Sequence, residues 1–145
     1  MPSRTARTVW NGTLENGSGQ VDLASSWIGT YNVNLPKRAA DEAGGTTSPE
    51  EFLAAAHSSC YAMQLSAFIA EAGGTPQSLD VTATVSLGQD PAGGFAITGI
   101  AITVRAEVDG LDAAEFEKAA QAAKDGCPVS KALAGTTITL DAALD

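Results

Sequence analysis

The chain of 145 residues is predicted to adopt an α+β fold with antiparallel sheet, on the basis of three observations. Residues 5–35 contain short segments broken by turn dipeptides, residues 48–74 form one long apolar segment with helical spacing, and two alternating segments flank the turn "GQDPAGG". Strands therefore precede and follow a helix without the regular strand–helix alternation of a parallel α/β protein. The length is normal for one domain, or one intertwined unit, with enough residues to bury a core.

The N-terminal region is predicted to be a small antiparallel meander. Asn11-Gly12 is a turn dipeptide within "RTVWNGT", and a second turn is expected in "ENGSGQ" before "VDLAS". The next segment, "WIGTYNVNL", alternates apolar and polar positions, as expected of a half-buried strand. A loop with about one helical turn is then predicted for "PKRAADEAGGTT".

The long helix has clear signals at both ends. Ser48 can cap it, Pro49 suits the first helical position, and Glu51 lies where a capping box places a carboxylate. Gly73-Gly74 is the expected end, because glycine readily adopts the backbone conformation that terminates helices. The helix is therefore predicted to run from this cap to the two glycines.

Apolar residues surround most of this helix. One face carries residues at three- and four-residue spacing: Phe52, Ala56, Cys60, Met63, Ala67 and Ala70. The reverse side is hardly more polar, with Leu53, Ala54, Tyr61, Leu65, Phe68 and Ile69. One chain of this length can hardly cover a helix on all sides, so the pattern predicts a subunit interface.

The C-terminal half is predicted to contain a hairpin, two helices and a strand. "SLDVTATVSL" and "FAITGIAITVRAEV" alternate strictly on either side of a turn, which is typical of a β-hairpin. "DAAEFEKAAQAAKDG" has the pattern of an amphipathic helix, "PVSKAL" begins another short helix, and "TITLDAAL" is expected to be the last strand.

Charge and hydropathy exclude several classes of function. The net charge of −9 repels phosphates, so neither nucleic acid nor an anionic membrane surface is expected as a partner. No apolar run approaches the ~18–20 residues that span a bilayer, and no secretory signal is recognisable, so a cytoplasmic location is expected.

Since that compartment keeps thiols reduced, the two cysteines are not expected to form a permanent disulfide. No metal, haem, flavin or nicotinamide motif is visible, and no cofactor is predicted.

The two cysteines admit more than one interpretation. Cys60 lies in the apolar helix, where a cysteine is most often a small core residue; a nucleophile would need a group that stabilises its thiolate. Cys127 precedes Pro128, which places its sulfur near free backbone N–H groups that lower a thiol pKa. Neither belongs to a C-x-x-C motif, which argues against a thioredoxin-like site or structural zinc. His57, three residues before Cys60, leaves open a general base, a metal ligand or simply a packed side chain.

The motifs "SPEEFLAAAHSSC" and "GCPVSKAL", with the intervening "SLDVTATVSL" and "FAITGIAITV", together resemble the OsmC/Ohr family of organic hydroperoxide reductases, and the OsmC-like branch is the better match. The resemblance implies an OsmC-like fold in an intertwined homodimer with two buried central helices. It implies one domain over residues 1–145: N-terminal strands and a loop (1–47), the central helix (48–74), and a hairpin, helices and final strand (75–145). The implied activity is reduction of organic hydroperoxides to alcohols.

The resemblance also implies four site residues. Cys60 matches the peroxidatic cysteine, which becomes a sulfenic acid, and Cys127 matches the resolving cysteine, which forms a disulfide with it. Glu50 matches the glutamate that directly follows the helix-starting proline, and Arg38 is the best match for the arginine of the preceding loop. An external dithiol, in this family a lipoylated protein, is then expected to reduce the disulfide.

These residue types suit the chemistry. Burial disfavours a thiolate, whereas a guanidinium beside it restores ionisation, and Glu50 would orient Arg38 through a bidentate pair. Glu50 and Cys60 are ten residues apart on one helix, which corresponds to ~15 Å of rise. Glu50 is therefore expected to serve the Cys60 of a partner chain, with two shared sites per dimer.

A non-catalytic thiol sensor or small-ligand binding protein remains the alternative function, and a purely structural domain is the third.

Overall fold

Turn residues divide the start of the chain into three short strands in the computed structural model, which describes residues 1–145. The strands β1 (Arg7–Asn11), β2 (Ser18–Asp22) and β3 (Thr30–Val33) pair antiparallel in the order β1-β2-β3. They belong to a compact unit of residues 1–52, and residues 53–145 form a second unit. The predicted meander is confirmed.

The third strand is shorter than the alternation of "WIGTYNVNL" predicted. Trp27 adopts a left-handed backbone conformation with φ 57°, which interrupts the extended chain, so pairing begins only at Thr30. Trp27 and Ile28 are 79% and 75% exposed. The prediction of a half-buried strand was therefore wrong for this part of the segment. β2 also begins at Ser18, within the stretch that was assigned to the second turn.

Two helices follow the meander. α1 (Leu35–Arg38) is the expected single helical turn, and the Asn34 side chain accepts a hydrogen bond from the Lys37 backbone N–H at 2.9 Å. α2 (Pro49–Glu71) is the long helix. The Ser48 hydroxyl accepts a hydrogen bond from the Glu51 N–H at 3.2 Å, and Gly73 takes φ 91° after the last turn. Both predicted ends are confirmed.

The second unit is built on a three-stranded sheet. β4 (Thr75–Gln89) and β5 (Phe95–Asp109) form the predicted antiparallel hairpin. α3 (Ala113–Gly126) begins at a complete capping box between Asp112 and Glu115, and α4 (Pro128–Ala132) follows after Cys127 alone. The last strand, β6 (Ile138–Leu144), lies next to β5.

The pairing of the last strand differs from the antiparallel arrangement that the sequence predicted. β6 runs parallel to β5, with Ile100 opposite Ile138 and Ala106 opposite Leu144. A parallel neighbour requires a long crossover connection, and α3 with α4 supplies it. The fold is α+β as predicted, with one mixed sheet.

One face of α2 is buried within the second unit. Tyr61, Leu65 and Ile69 have no exposed surface, and the Tyr61 hydroxyl donates a hydrogen bond to the Ala120 carbonyl of α3 at 2.9 Å. The opposite apolar face is uncovered in the single chain, and Met63 on it is 70% exposed. No helix of the structure is long and apolar enough to cross a membrane.

Candidate active site

An ion pair between Arg38 and Glu50 joins the two helices of the first unit. The Arg38 Nε donates to both carboxylate oxygens at 3.1 and 3.2 Å, and Nη2 donates to Oε1 at 2.7 Å. Arg38 is the last residue of α1, and Glu50 lies in the first turn of α2. The short loop between them therefore brings the two side chains together, as the sequence analysis expected of this pair.

The Glu50 carboxylate is charged despite being buried. Its residue is 8% exposed, and burial by itself would raise its pKa. Hydrogen bonds from Arg38, from its own backbone N–H and from Ser48, with the positive charge of Arg38, hold the Glu50 pKa below its ordinary value. The pair thus fixes a guanidinium in one orientation.

Apolar residues of the first unit lie next to Arg38. The rings of Tyr31 and Phe52 meet edge to face, with centroids 5.8 Å apart, and tie β3 to the first turn of α2. A small cavity of about 100 Å³ adjoins Arg38. Its lining is mostly apolar and consists of Trp10, Leu14, Val33, Asn34, Leu35, Arg38, Thr47 and Pro49. A cation at an apolar cavity suits a ligand with one polar end and a hydrocarbon body.

The two cysteines are free thiols that lie against each other in the second unit. Cys60 is half-buried on α2, and Cys127 is fully buried between α3 and α4. The thiols are close enough for each to affect the ionisation of the other: Cys127 raises the Cys60 pKa, and Cys60 lowers the Cys127 pKa. Two residues that are far apart in the sequence are therefore neighbours in the second unit.

The surroundings favour a thiolate on Cys127 rather than on Cys60. Burial raises the pKa of the Cys60 thiol, Cys127 raises it further, and only the Val129 N–H opposes them. Burial would also raise the pKa of Cys127, but hydrogen bonds from the Ser130 N–H and hydroxyl, from Cys60 and from the Val129 N–H lower it below its ordinary value. None of the groups acting on Cys60 is a cation.

His57 does not contact Cys60 as a base in this structure. It is fully buried, its Nε2 lies 2.7 Å from the Ser130 hydroxyl, and Nδ1 has no hydrogen-bond partner. Burial lowers the pKa of His57, which keeps the imidazole neutral. No group of three or more His, Cys, Asp or Glu side chains is arranged to hold a metal ion.

The structure thus brings the four predicted residues together as two pairs. Arg38 contacts Glu50 in residues 1–52, and Cys60 contacts Cys127 in residues 53–145. Sequence reasoning missed Ser130, which binds both His57 and Cys127. Ser130 lies three residues after the cap cysteine, on the same side of α4. This spacing in the sequence could have identified it as a neighbour of Cys127.

The chain is similar to characterised proteins over most of its length. The family described as OsmC-like protein matches residues 41–141. Peroxiredoxin OsmC of Escherichia coli is 44% identical over 132 residues, which cover 91% of this chain and 90% of that protein. The organic hydroperoxide resistance protein of Xanthomonas axonopodis is 31% identical over 112 residues, covering 74% and 76% of the two chains.

Solved structures agree with these sequence matches. The crystal structure of the organic hydroperoxide resistance protein OhrB of Bacillus subtilis superimposes with a TM-score of 0.72 at 26% identity, covering 97% of this chain and 98% of that one. The matched residues 41–141 include both cysteine motifs and Glu50. On the strength of these matches, the chain belongs to the OsmC-like protein family.

Proposed function

We propose that the protein is a thiol-dependent peroxidase that reduces organic hydroperoxides to alcohols. The observation that carries this proposal is the proximity of two free thiols, Cys60 and Cys127, in one buried cluster, where each affects the ionisation of the other. Two adjacent thiols can transfer two electrons to a peroxide and store the oxidised state as a disulfide. Peroxiredoxin and hydroperoxide resistance names among the relatives support the same type of reaction.

The reaction proceeds in two chemical steps. In the peroxide step, the Cys60 thiolate attacks the distal oxygen of the hydroperoxide, the O–O bond breaks, and the alkoxide takes a proton to leave as alcohol. In the resolving step, the Cys127 thiolate attacks the Cys60 sulfenic acid, the S–O bond breaks, and hydroxide leaves and is protonated to water. An external dithiol then reduces the Cys60–Cys127 disulfide by exchange. A lipoylated protein is the reductant that we propose.

The peroxide step needs a thiolate on Cys60, which its own unit disfavours. We assign the missing positive charge to Arg38 of a partner chain, held in place by Glu50 of that chain. α2 is continuous from Pro49 to Glu71, so a rise of ~15 Å separates Glu50 from Cys60 along the helix. The uncovered apolar face of α2 around Met63 would then be the interface of a twofold homodimer with two shared sites.

The preference for organic hydroperoxides follows from the apolar surroundings of Arg38. The guanidinium can bind the peroxide oxygens and stabilise the developing alkoxide, while the adjoining apolar cavity accepts a hydrocarbon chain. Hydrogen peroxide has no hydrocarbon portion and gains nothing from this cavity. Its reduction should therefore be slower than that of an alkyl or aryl hydroperoxide.

A steady-state peroxidase assay tests the proposal. With dihydrolipoamide as reductant, the protein should consume many equivalents of cumene hydroperoxide, and consume hydrogen peroxide more slowly. A protein that oxidises once and does not turn over with any dithiol would be a thiol sensor. Unreactive thiols at neutral pH would indicate a structural domain instead.

A further inference from the structure

His57 is a fully buried titratable side chain that the reaction above does not use. It has no exposed surface, and its Nε2 lies 2.7 Å from the Ser130 hydroxyl on α4. Its Nδ1 is buried without a hydrogen-bond partner. Burying an imidazole in this way costs free energy, and the cost is reduced at only one nitrogen. Such an arrangement suggests that the Nε2–Ser130 contact has a role beyond packing.

Ser130 connects the imidazole to the resolving cysteine. It is 7% exposed and lies in the first turn of α4, whose cap is Cys127, and its hydroxyl and backbone N–H both lower the Cys127 pKa. The chain of contacts therefore runs from His57 through Ser130 to Cys127, and from Cys127 to Cys60. All four residues lie in residues 53–145 and need no partner chain to meet.

The hydroxyl of Ser130 has a single proton, and His57 determines where it points. When Nε2 carries the imidazole proton, it donates to the Ser130 oxygen, which leaves the Ser130 O–H free to donate to the Cys127 sulfur. When Nδ1 carries the proton instead, Nε2 accepts the Ser130 O–H, and the sulfur loses this donor. We assign the proton to Nε2, because a buried N–H without an acceptor is rare.

We propose that His57 is a positioning residue that acts through Ser130 to hold the Cys127 thiolate ready to attack the Cys60 sulfenic acid. This inference rests on the proposed peroxidase function, and it concerns the resolving step alone. In that step the S–S bond forms as the S–O bond of Cys60 breaks. The departing hydroxide combines with the proton that Cys127 has given up, so that one water leaves and no further oxidant or reductant is needed.

The inference separates the two cysteines chemically. Cys60 would depend on a guanidinium for its reaction, whereas Cys127 would depend on the neutral donors Ser130 and His57. The other titratable groups coupled to Cys127 are Cys60, which lowers its pKa, and Tyr61, whose own pKa Cys127 raises; both lie on α2, and neither is a cation. A stable Cys127 thiolate shortens the lifetime of the sulfenic acid and protects Cys60 from further oxidation.

Rapid-mixing kinetics with one equivalent of cumene hydroperoxide test this proposal, because they resolve the peroxide step from the resolving step. In Ser130→Ala and His57→Asn, disulfide formation should slow about tenfold, the size expected for losing a hydrogen bond to a charged group. The peroxide step should stay within about twofold of the unmodified protein. The pH profile of disulfide formation should shift upward by about one unit.

Two further variants serve as controls. Ser130→Thr keeps the hydroxyl and should restore most of the rate of disulfide formation. Thr98→Ala removes an exposed hydroxyl that bonds only the Ser86 carbonyl across the β4–β5 hairpin, and it should change neither step. If both steps slow equally, or if disulfide formation is unchanged in Ser130→Ala, the proposal is overturned. If His57→Asn does not fold, the rate of disulfide formation in Ser130→Ala is the measurement that supports or overturns the proposal. Failure of the peroxide step in the unmodified protein would instead contradict the proposed function.

Discussion

The Arg38–Glu50 pair and the Cys60–Cys127 pair have opposite electrostatic environments. Arg38 and Glu50 are both charged, are joined by three hydrogen bonds, and hold the pKa of the carboxyl down in spite of its burial. Cys127 is buried and Cys60 is half-buried, no cation acts on either thiol, and the Cys60 pKa is raised. The Arg38–Glu50 pair therefore contains a cation, whereas the Cys60–Cys127 pair lacks the cation that would stabilise a thiolate on Cys60.

Because of this difference, the proposed activity depends on assembly. The Cys127 thiolate is stabilised within its own chain by Ser130 and Val129, so the resolving step needs only residues 53–145. Cys60 has no comparable support. Peroxide reduction should therefore require a partner chain, whereas disulfide formation should not.

Cys60→Ser should abolish peroxide reduction, because no other thiol can take its place in the peroxide step. Cys127→Ser should reduce about one equivalent of peroxide and then stop, with Cys60 open to irreversible oxidation. Steady-state turnover and the mass of the oxidised protein measure both outcomes. Near-normal turnover in Cys60→Ser would refute the mechanism.

Mixing inactive Cys60→Ser with inactive Glu50→Ala tests whether sites are shared between chains. In a heterodimer, one site would combine an intact Cys60 with an intact Glu50, and activity should return to about half that of the unmodified dimer. Co-expression with two different affinity tags isolates the heterodimer for assay. If verified heterodimers stay inactive, each chain builds its own site.

Arg38→Ala should raise the pKa of Cys60 and slow the peroxide step about tenfold for each unit of that rise. Arg38→Lys should recover only part of the rate, since lysine cannot make the bidentate pair with Glu50. Thiol titration and rapid-mixing kinetics measure the two effects. Arg105→Ala is the matched control: Arg105 forms an exposed ion pair with Asp141 at 3.0 Å, and its loss should leave Cys60 unchanged. An unaltered thiol titration in Arg38→Ala would assign the role to another arginine.

The smallest expected effect concerns stability in acid. The Glu50 pKa is lowered from its ordinary value of 4.5, so its ionised form stabilises the folded state. This stabilisation is complete above pH 4.5 and is lost as the pH falls through the lower, folded-state value. Glu50→Gln should therefore lower the Tm at pH 7, and the difference from the unmodified protein should shrink below about pH 4.

Asp141→Asn provides the comparison for this measurement. Its carboxylate is 70% exposed, and surface ion pairs contribute little to stability, so its Tm should match that of the unmodified protein at both pH values. A Tm difference for Glu50→Gln that does not change with pH would mean that the Glu50 charge contributes nothing to folding.

Signals close together in the sequence predicted the elements that position the site. The ends of α2 could be predicted before any tertiary contact was known, because helix-end signals depend only on the adjacent turn of backbone. These signals are the Ser48 cap, Pro49 and the two glycines after α2. The hairpin of β4 and β5 was predicted for the same reason, since strict alternation and an intervening turn are local properties. The Arg38–Glu50 contact joins the ends of two helices separated by a short loop.

Only the tertiary structure decided the features that depend on distant residues. Both faces of α2 are apolar, so the sequence could not show that Tyr61, Leu65 and Ile69 face the core of the chain while Met63 is left uncovered. The parallel pairing of β6 required the crossover through α3 and α4, which alternation alone does not encode. The contacts from His57 to Ser130 and from Cys60 to Cys127 exist because the packing of α2 and α4 closes a long loop of chain. Spacing along a sequence specifies local backbone geometry, but neighbours across a core depend on how whole elements pack.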